Sequence, residues 1–375
     1  MKPTAMKIIV SFLVAMFFQS GHGMENWYGN SLCLAFKGKT KQAMKIVQNN
    51  DSKLIEITDS KLVPEEIKEI IDEKPDNEPE TNGKSDDEPK PGKFVAVGSS
   101  NEAVYSNDGI NWIPAQIPTS EAYSVCYGNG KFVAVGENKA AYSTDGIDWK
   151  ETNLPASSSE YSWLQWKYIC YGKDKFVAMA EGDDSIKVAY SLDGIEWFPL
   201  EEVFWANWRA ICYGKDMFVA LISYDNIAAY SADGIDWKET SLPFEAGENA
   251  SVCYGNDKFV AVSDDKAAYS TDGINWVSAE MPDVSNLFSI CYGNGKFIAV
   301  PDYGNTIAHS TDGIHWGRII LPFDNSYYSV CYGNGKFVAM GDSDKAIYST
   351  DGIYWEEAIS TLPYSYYWSS ICYGG

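Results

Sequence analysis

Serine, cysteine and aspartate recur at fixed spacing through most of the sequence, and such side chains build nucleophilic and acid–base sites. The cleanest copy has Ser124 and Cys126, followed by Asp145 in a Ser-Thr-Asp-Gly-Ile-Asp-Trp segment that ends at Trp149. The Ser-x-Asp-Gly-x-x-Trp motif occurs seven times, with its aspartate at positions 108, 145, 193, 233, 272, 312 and 351. An active site needs one set of distinct residues, whereas seven near-identical copies suit a repeated scaffold. We therefore expect these residues to be structural and predict no catalytic residue.

The segments between the repeated motifs differ from copy to copy and carry aromatic and acidic side chains. Aromatic rings beside carboxylates suit sugars, whose C–H faces stack on rings. They also suit protein interfaces, where Tyr and Trp are common anchors. Some of these aromatic residues are expected only to fill space in the fold. The candidate ligand-binding residues are Trp163, Trp166, Trp205, Trp208, Arg209, Tyr328, Tyr367 and Trp368.

A unit of about 40 residues cannot bury its own apolar face and must stack on its neighbours. Each repeat is predicted to form four short strands. Strand A, Ser-Val-Cys-Tyr, leads through a Gly-Asn-Gly hairpin to strand B, Lys-Phe-Val-Ala-Val. Strand C precedes the Asp-Gly turn, and strand D follows it. The A–B hairpins and Asp-Gly turns are expected on one face, and the variable B–C and D–A loops on the other.

The order of the strands at the two ends of the repeat region indicates a closed ring. Seven Phe-containing B strands are present, but the first, at Phe94, has no Cys-Tyr-Gly strand before it. The missing strand stands at the other end of the sequence, in Ser369–Gly374. We therefore predict an all-β, seven-bladed β-propeller of four-stranded antiparallel blades, closed by the C-terminal strand pairing into blade 1.

The Ser-x-Asp-Gly-x-x-Trp turn resembles the Asp-box, or BNR, repeat of the sialidase-like β-propeller superfamily, over residues 92–375. Every copy is one residue shorter than the usual Ser-x-Asp-x-Gly-x-Thr-Trp box and lacks its threonine. The resemblance implies a propeller and, in sialidases, three arginines that clamp the substrate carboxylate. Arg209 and Arg318 are the two arginines of this sequence. A non-catalytic member with a shortened box is therefore expected.

Seven of the eight cysteines occupy one equivalent position, one per repeat, where neighbouring blades hold them too far apart for disulfides. We expect buried free thiols. Outside the first 23 residues the histidines are His309 and His315, and neither has a second ligand at a metal-binding spacing. The sequence predicts no metal and no cofactor.

Residues 1–23 have the charged, apolar and small-residue order of a signal peptide. Residues 24–71 form an N-terminal arm in which Ile67, Ile70 and Ile71 indicate at most one short helix. Residues 72–91, with eight acids and four prolines, are an acidic, proline-rich linker, and residues 92–375 are the propeller. A net charge of −23 argues against nucleic acid. No membrane insertion of the mature chain is expected.

The sequence favours a secreted, periplasmic or extracellular binding protein without catalytic activity, whose ligand is a glycan or an extracellular or cell-surface protein. The alternative is a glycoside hydrolase that uses a pair of loop carboxylates, since that chemistry requires only two such groups about 5 to 9.5 Å apart.

Overall fold

The computed structural model describes residues 26–28, 31–34, 44–49, 52–56, 92–137, 139–156, 164–182, 187–200, 203, 207–363 and 367–375. The chain divides into two compact units, Met1–Asp86 and Asp87–Gly375. In the first unit an antiparallel sheet joins β1 (Asn26–Tyr28), β2 (Ser31–Leu34), β3 (Met44–Asn49) and β4 (Ser52–Glu56) in sequential order. These four strands are not among the elements predicted from the sequence. The predicted signal peptide, the helix near Ile67 and the linker lie outside the described residues.

The second unit contains seven antiparallel sheets of four strands each, which confirms the predicted seven-bladed propeller. The outer three strands of blade 1 are β5 (Lys93–Gly98), β6 (Glu102–Ser106) and β7 (Ile113–Gln116). Blades 2 to 4 consist of β8 (Ala122–Gly128), β9 (Lys131–Gly136), β10 (Lys139–Ser143) and β11 (Lys150–Asn153); β12 (Leu164–Gly172), β13 (Lys175–Gly182), β14 (Val188–Ser191) and β15 (Phe198–Leu200); and β16 (Trp208–Gly214), β17 (Met217–Ile222), β18 (Asp225–Ser231) and β19 (Lys238–Ala246). Blades 5 to 7 consist of β20 (Ser251–Gly255), β21 (Lys258–Ser263), β22 (Lys266–Ser270) and β23 (Val277–Ser278); β24 (Leu287–Gly293), β25 (Lys296–Pro301), β26 (Thr306–Ser310) and β27 (Gly317–Ile320); and β28 (Tyr327–Gly333), β29 (Lys336–Gly341), β30 (Ile347–Ser349) and β31 (Glu356–Glu357).

The ring is closed by β32 (Trp368–Gly374), which supplies the inner strand of blade 1. It pairs antiparallel with β5, with Cys372 opposite Val95 and Gly374 opposite Lys93. The seven inner strands contact one another in order, and β32 contacts both β28 and β8. The predicted closure by the C-terminal strand is confirmed.

The strands next to the inner strands form the core because both of their faces are covered. In β5, residues Phe94 to Val97 are all 0% exposed, and the equivalent strands repeat this pattern. The hydrophobic clusters extend across the blade boundaries. One cluster joins Trp112 of blade 1 to Val338 and Met340 of blade 7. The motif tryptophan of blade 1 therefore packs between blades, in keeping with the structural role predicted for the repeated residues.

The aspartate of each repeated turn accepts hydrogen bonds from the backbone. In blade 2, Asp145 Oδ1 accepts the N–H groups of Ile147 at 2.9 Å and Asp148 at 3.0 Å. Gly146 has a φ of +74°, which is easily adopted without a Cβ. Burial disfavours the charged form of Asp145, but these hydrogen bonds prevail and lower its pKa. The structural role predicted for the turn is confirmed.

A second repeated contact joins neighbouring blades at the Cys-Tyr-Gly end of each inner strand. A Cβ placed on Gly128 would lie 2.0 Å from the ring of Tyr171 in the next blade. A Cβ on Gly374 would meet Tyr127 at the same distance of 2.0 Å. Glycine is therefore required where the tyrosine of the next blade crosses the strand. The contact recurs at all seven blade junctions, and it explains why glycine follows each tyrosine.

Candidate functional site

The inner strands of six blades contain a β-bulge at the same position, three residues before the cysteine. In β16 the pairing moves from Trp208 opposite Ile222 to Ala210 opposite Leu221, so that Arg209 has no partner in the ladder. A bulge bends the strand and redirects a side chain. The residues at the six bulges are Tyr123, Lys167, Arg209, Phe288, Tyr328 and Ser369.

Five of the six bulge side chains contact one another or adjacent aromatic residues at the end of the propeller where the inner strands begin, whereas the hydroxyl of Ser369 bonds to backbone carbonyls. The Arg209 guanidinium of blade 4 lies 4.8 Å from the ring centroid of Phe288 in blade 6, and so spans the place of blade 5. Blade 5 has the small residue Ala250 three positions before its cysteine. We use the name collar for Tyr123, Lys167, Tyr168, Arg209, Phe288, Tyr328 and Tyr367, which are all partly exposed.

The tryptophans predicted as ligand contacts occupy a different position. Trp166 and Trp208 are 0% exposed and Trp368 is 1% exposed, and each belongs to a hydrophobic cluster of the core. Each stands immediately before a bulge residue, and the bulge separates this buried side chain from the partly exposed one that follows. The structure thus corrects the sequence-based assignment, because these three tryptophans are core residues. Trp163 and Trp205 lie outside the described residues.

The structure brings three predicted residues together in the collar, namely Arg209, Tyr328 and Tyr367. The other four collar residues are not among the sequence-based candidates. Aligning the seven repeats with one another would have identified the position that these residues occupy. The residue four before the cysteine is apolar in every copy except at Asn249, whereas the residue three before it changes from copy to copy.

Polar contacts link the collar residues of blades 3 and 4. Arg209 Nη1 donates to the hydroxyl oxygen of Tyr168 at 2.9 Å, and the Tyr168 hydroxyl donates to Glu181 Oε1 at 2.8 Å. Lys167 Nζ forms an ion pair with Glu181 Oε2 at 2.6 Å. Glu181 thus fixes two neighbouring collar side chains. This chain of contacts holds the Arg209 guanidinium against the rings of Tyr168 and Phe288.

Aromatic contacts continue the collar through blades 6, 7, 1 and 2. Phe288 and Tyr328 have ring centroids 5.5 Å apart, and Tyr328 and Tyr367 have centroids 6.2 Å apart, both with edge-on geometry. On the other side, Lys167 Nζ lies 5.7 Å from the ring centroid of Tyr123. Edge-on pairs are the favoured packing of aromatic rings. The rings therefore support one another and present their edges and hydroxyl groups.

The collar hydroxyls are hydrogen-bond donors at neutral pH. Burial, followed by the hydrogen bond to Glu121, raises the pKa of Tyr123. Burial also raises the pKa of Tyr168. The next largest influence, the positive charge of Arg209, lowers this pKa but does not outweigh burial. Burial likewise raises the pKa of Asp302 in the adjacent loop of blade 6. Tyr123 and Tyr168 donate their single O–H groups to Glu121 and Glu181, which fixes these two rings in place beside the cations of the collar.

The cysteines provide no nucleophile in the propeller. All seven at the equivalent inner-strand position, including Cys126 and Cys372, are free thiols, as predicted, but they are partly exposed and not fully buried. Desolvation of the sulfur raises the pKa of each thiol, which keeps it protonated at neutral pH. Within the described ranges, no group of three or more His, Cys, Asp or Glu side chains is arranged to hold a metal ion. Nor does this part of the chain include a helix with the length and apolarity needed to span a bilayer.

Comparison with known proteins identifies the fold. No protein-family model matches the chain. No curated protein matches it either. Since no family model supports the Asp-box resemblance, it remains a prediction.

Solved structures that resemble this chain include a streptogramin B lyase, with a TM-score of 0.57 at 13% identity, covering 73% of this chain and 89% of the lyase. A catalytically inactive virginiamycin B lyase from Staphylococcus aureus, solved with quinupristin, gives a TM-score of 0.52 at 14% identity over 63% of this chain and 83% of the lyase. YCF48 bound to D1 peptide gives 0.50 at 15% identity over 70% of this chain and 87% of YCF48. At these identities the similarity establishes the seven-bladed propeller fold and nothing finer.

Proposed function

We propose that this protein is a non-catalytic binding protein that holds a segment of a protein ligand in the collar. The observation that carries the proposal is the set of six β-bulges, five of which place a side chain in the collar, namely Tyr123, Lys167, Arg209, Phe288 and Tyr328. The A–B hairpins, the B strands and the Asp-Gly turns are nearly constant from blade to blade. Variation confined to one end of a repeat protein is typical of a ligand-binding surface.

The composition of the collar favours a protein ligand over a glycan. Tyrosine and arginine are the residues that most often anchor protein interfaces. Flat stacking on a sugar requires open ring faces, whereas Phe288, Tyr328 and Tyr367 pack against one another. Among the described residues, the buried Trp166, Trp208 and Trp368 offer no stacking surface to a sugar at this end of the propeller. The likeness in fold to YCF48, which was solved with a bound peptide, is in keeping with this proposal.

Export is part of the proposal, because residues 1–23 have the pattern of a signal peptide. The expected compartment is therefore extracellular or periplasmic, and the expected partner is a secreted or cell-surface protein. Mass spectrometry of the N-terminus of the protein made in its natural host measures this directly. Cleavage after Gly23 agrees with export, and an intact first segment contradicts it.

A matched pair of double variants tests the collar. The first, Arg209→Ser with Tyr328→Ser, gives two bulge positions the residue that blade 1 already carries at Ser369. The control, Arg318→Ser with Tyr354→Ser, makes the same substitutions away from the collar, in outer strand β27 and in the Asp-Gly turn of blade 7, where these side chains are 50% and 79% exposed. Binding of partners captured from the extracellular fraction is measured with the purified mature chain. We expect the collar variant to raise the Kd about 30-fold, as for loss of interface anchors, and the control to leave it unchanged.

Three outcomes would contradict the proposal. Equal weakening by both double variants would place the binding surface elsewhere. Specific binding on a glycan array, lost in the collar variant, would identify a lectin instead. Release of reducing sugar from a polysaccharide, lost on replacing a loop carboxylate, would establish the glycoside hydrolase alternative.

A further inference from the structure

Blade 4 differs from the other blades in its outer strand. Strand β19 runs for nine residues, whereas the other outer strands have two to four. It pairs with β18 from Lys238, opposite Tyr230, to Ser241, opposite Ile227; residues 242–245 then bulge out of the ladder before Ala246 pairs with Asp225. The extra length carries the strand to the turn between β17 and β18, which lies at the collar end of the sheet. Blade 4 therefore has an added wall at this end.

The added wall borders an open cleft of about 440 Å³. The cleft is lined by Tyr224, Asp225, Asn226, Leu242, Pro243, Phe244 and Glu245. The cleft lies outward from the collar on the same blade. Ile222, two residues before Tyr224, pairs with Trp208, which immediately precedes Arg209 of the collar. A ligand segment that leaves the collar over blade 4 therefore passes over this cleft.

Tyr224 is held in the cleft at an energetic cost. Its φ of +58° is a left-handed conformation that bulky residues rarely adopt, and its side chain is 61% exposed. The backbone N–H of Tyr224 donates to the Ala246 carbonyl at 2.6 Å, and its hydroxyl donates to Glu248. Backbone strain that the surroundings maintain is concentrated at functional sites. The exposed ring of Tyr224 gains little stability from burial that could offset the cost of this backbone conformation. This combination points to a binding role for the ring.

The charge of the cleft identifies the ligand group. Asp225 and Glu245 line the cleft with Tyr224, and Glu248 accepts the hydrogen bond of the Tyr224 hydroxyl. None of these three carboxylates forms an ion pair with a lysine or arginine among the described residues. Carboxylates beside an aromatic ring attract cations by charge and by the cation–π interaction. The net charge of −23 adds long-range attraction for a basic partner.

We propose that the blade 4 cleft binds a lysine or arginine side chain of the protein ligand. This inference rests on the proposed function for the natural partner, but the cation site itself can be measured separately. The probe is the peptide acetyl-Gly-Arg-Gly-Arg-Gly-amide. It is titrated with the full mature chain, and binding is measured from the NMR resonances of the peptide. The peptide with glutamate in place of both arginines serves as the negative control.

The test variant is Asp225→Asn with Glu245→Gln, which preserves shape and removes two charges. Its control is Asp148→Asn with Glu196→Gln, which removes two charges from exposed positions in the Asp-Gly turns. We expect the cleft variant to weaken binding of the arginine peptide about fivefold, as two exposed ion pairs would, and the control to change it by less than about twofold. Tyr224→Ala is expected to weaken binding about threefold through loss of the ring.

Equal weakening by both double variants would show general attraction to an acidic surface and would overturn the cleft assignment. Binding of the glutamate peptide with equal strength would also overturn it. The collar variant, Arg209→Ser with Tyr328→Ser, separates the two proposals because the short peptide does not depend on the collar. If that variant keeps both the arginine peptide and the natural partner, the collar proposal fails while the cleft assignment stands.

Discussion

The two ends of the propeller contrast in how they use the repeat. At the Asp-Gly end all seven glycines of the turns have φ values between +74° and +77°, so every blade makes the same turn. At the collar end the six bulges carry Tyr, Lys, Arg, Phe, Tyr and Ser. The bulge is thus conserved among the blades as a backbone feature, while its side chain is not. Stability is expected to depend on the constant end and on the contacts between blades, and recognition on the variable end.

The largest effect is expected when the ring is opened. Deletion of residues 366–375 removes β32, leaves β5 without its inner partner and breaks the tyrosine–glycine contacts at Tyr373 and Gly374. We expect a loss of more than about 4 kcal/mol of unfolding free energy, since a buried strand is lost. The melting temperature measured by circular dichroism checks this.

Removal of Gly375 alone is the control, because this residue follows β32 and lies outside the strand. Its loss should leave the melting temperature unchanged. An unchanged melting temperature after the longer deletion would mean that blade 1 does not need the strand.

A smaller effect is expected from a single methyl group at a blade junction. Gly128→Ala places a Cβ 2.0 Å from the ring of Tyr171 and forces the two blades apart. We expect a destabilisation of about 3 kcal/mol from overpacking. Urea unfolding followed by tryptophan fluorescence measures it.

Gly130→Ala, two residues away, is the matched control. Its Cβ would meet nothing within 4 Å, and only its φ of +71° opposes the substitution. We expect a cost of about 1 kcal/mol. If Gly130→Ala costs as much as Gly128→Ala, contacts between blades do not explain the repeated glycine.

The smallest effect concerns the turn aspartates and has a defined pH dependence. The folded protein lowers the pKa of Asp145, so its charged form stabilises the fold above the ordinary aspartate pKa of about 4. This contribution is lost as the pH falls from about 4 toward the lower folded-state pKa. Asp145→Asn is expected to destabilise the protein by roughly 1 kcal/mol at pH 7, as for loss of a capping side chain, and by less at pH 3.

Thermal melts at the two pH values, with Asp148→Asn as the control, measure the difference. Asp148 is exposed and contributes its N–H, not its carboxylate, to the turn. A difference between Asp145→Asn and the native chain that stays the same at pH 3 would show that the charge of Asp145 is not involved.

The sequence predicts the ring but misplaces part of the site, and the two outcomes have different physical reasons. The repeat records which residues are constant, and the unpaired segment around Cys372 therefore reveals the closure. The inward or outward direction of a side chain depends on strand register, and the bulge before Ala210 adds one residue to that register. The regular two-residue alternation of side chains along a strand therefore could not predict that Trp208 is buried and that Arg209 faces the collar.

The N-terminal sheet illustrates a different limit. Its strands have three to six residues and no internal repeat, so periodicity gives little signal. One local clue is present, since the two residues between the paired Asn49 and Ser52 are Asn50 and Asp51, a turn-forming dipeptide. It indicates one hairpin and cannot indicate the other two strands.

The pairing of β32 with β5 has a consequence for how the protein is made. Val97 accepts a hydrogen bond from Ser369, a residue 272 positions later in the chain. At a synthesis rate of 5 to 20 residues per second, β5 waits roughly 15 to 55 s for its partner. During that time a strand with four fully buried residues in the finished fold has one unpaired edge, which is a site for aggregation. Protection of the emerging chain is therefore most needed at the first blade, and the need ends when the last strand arrives.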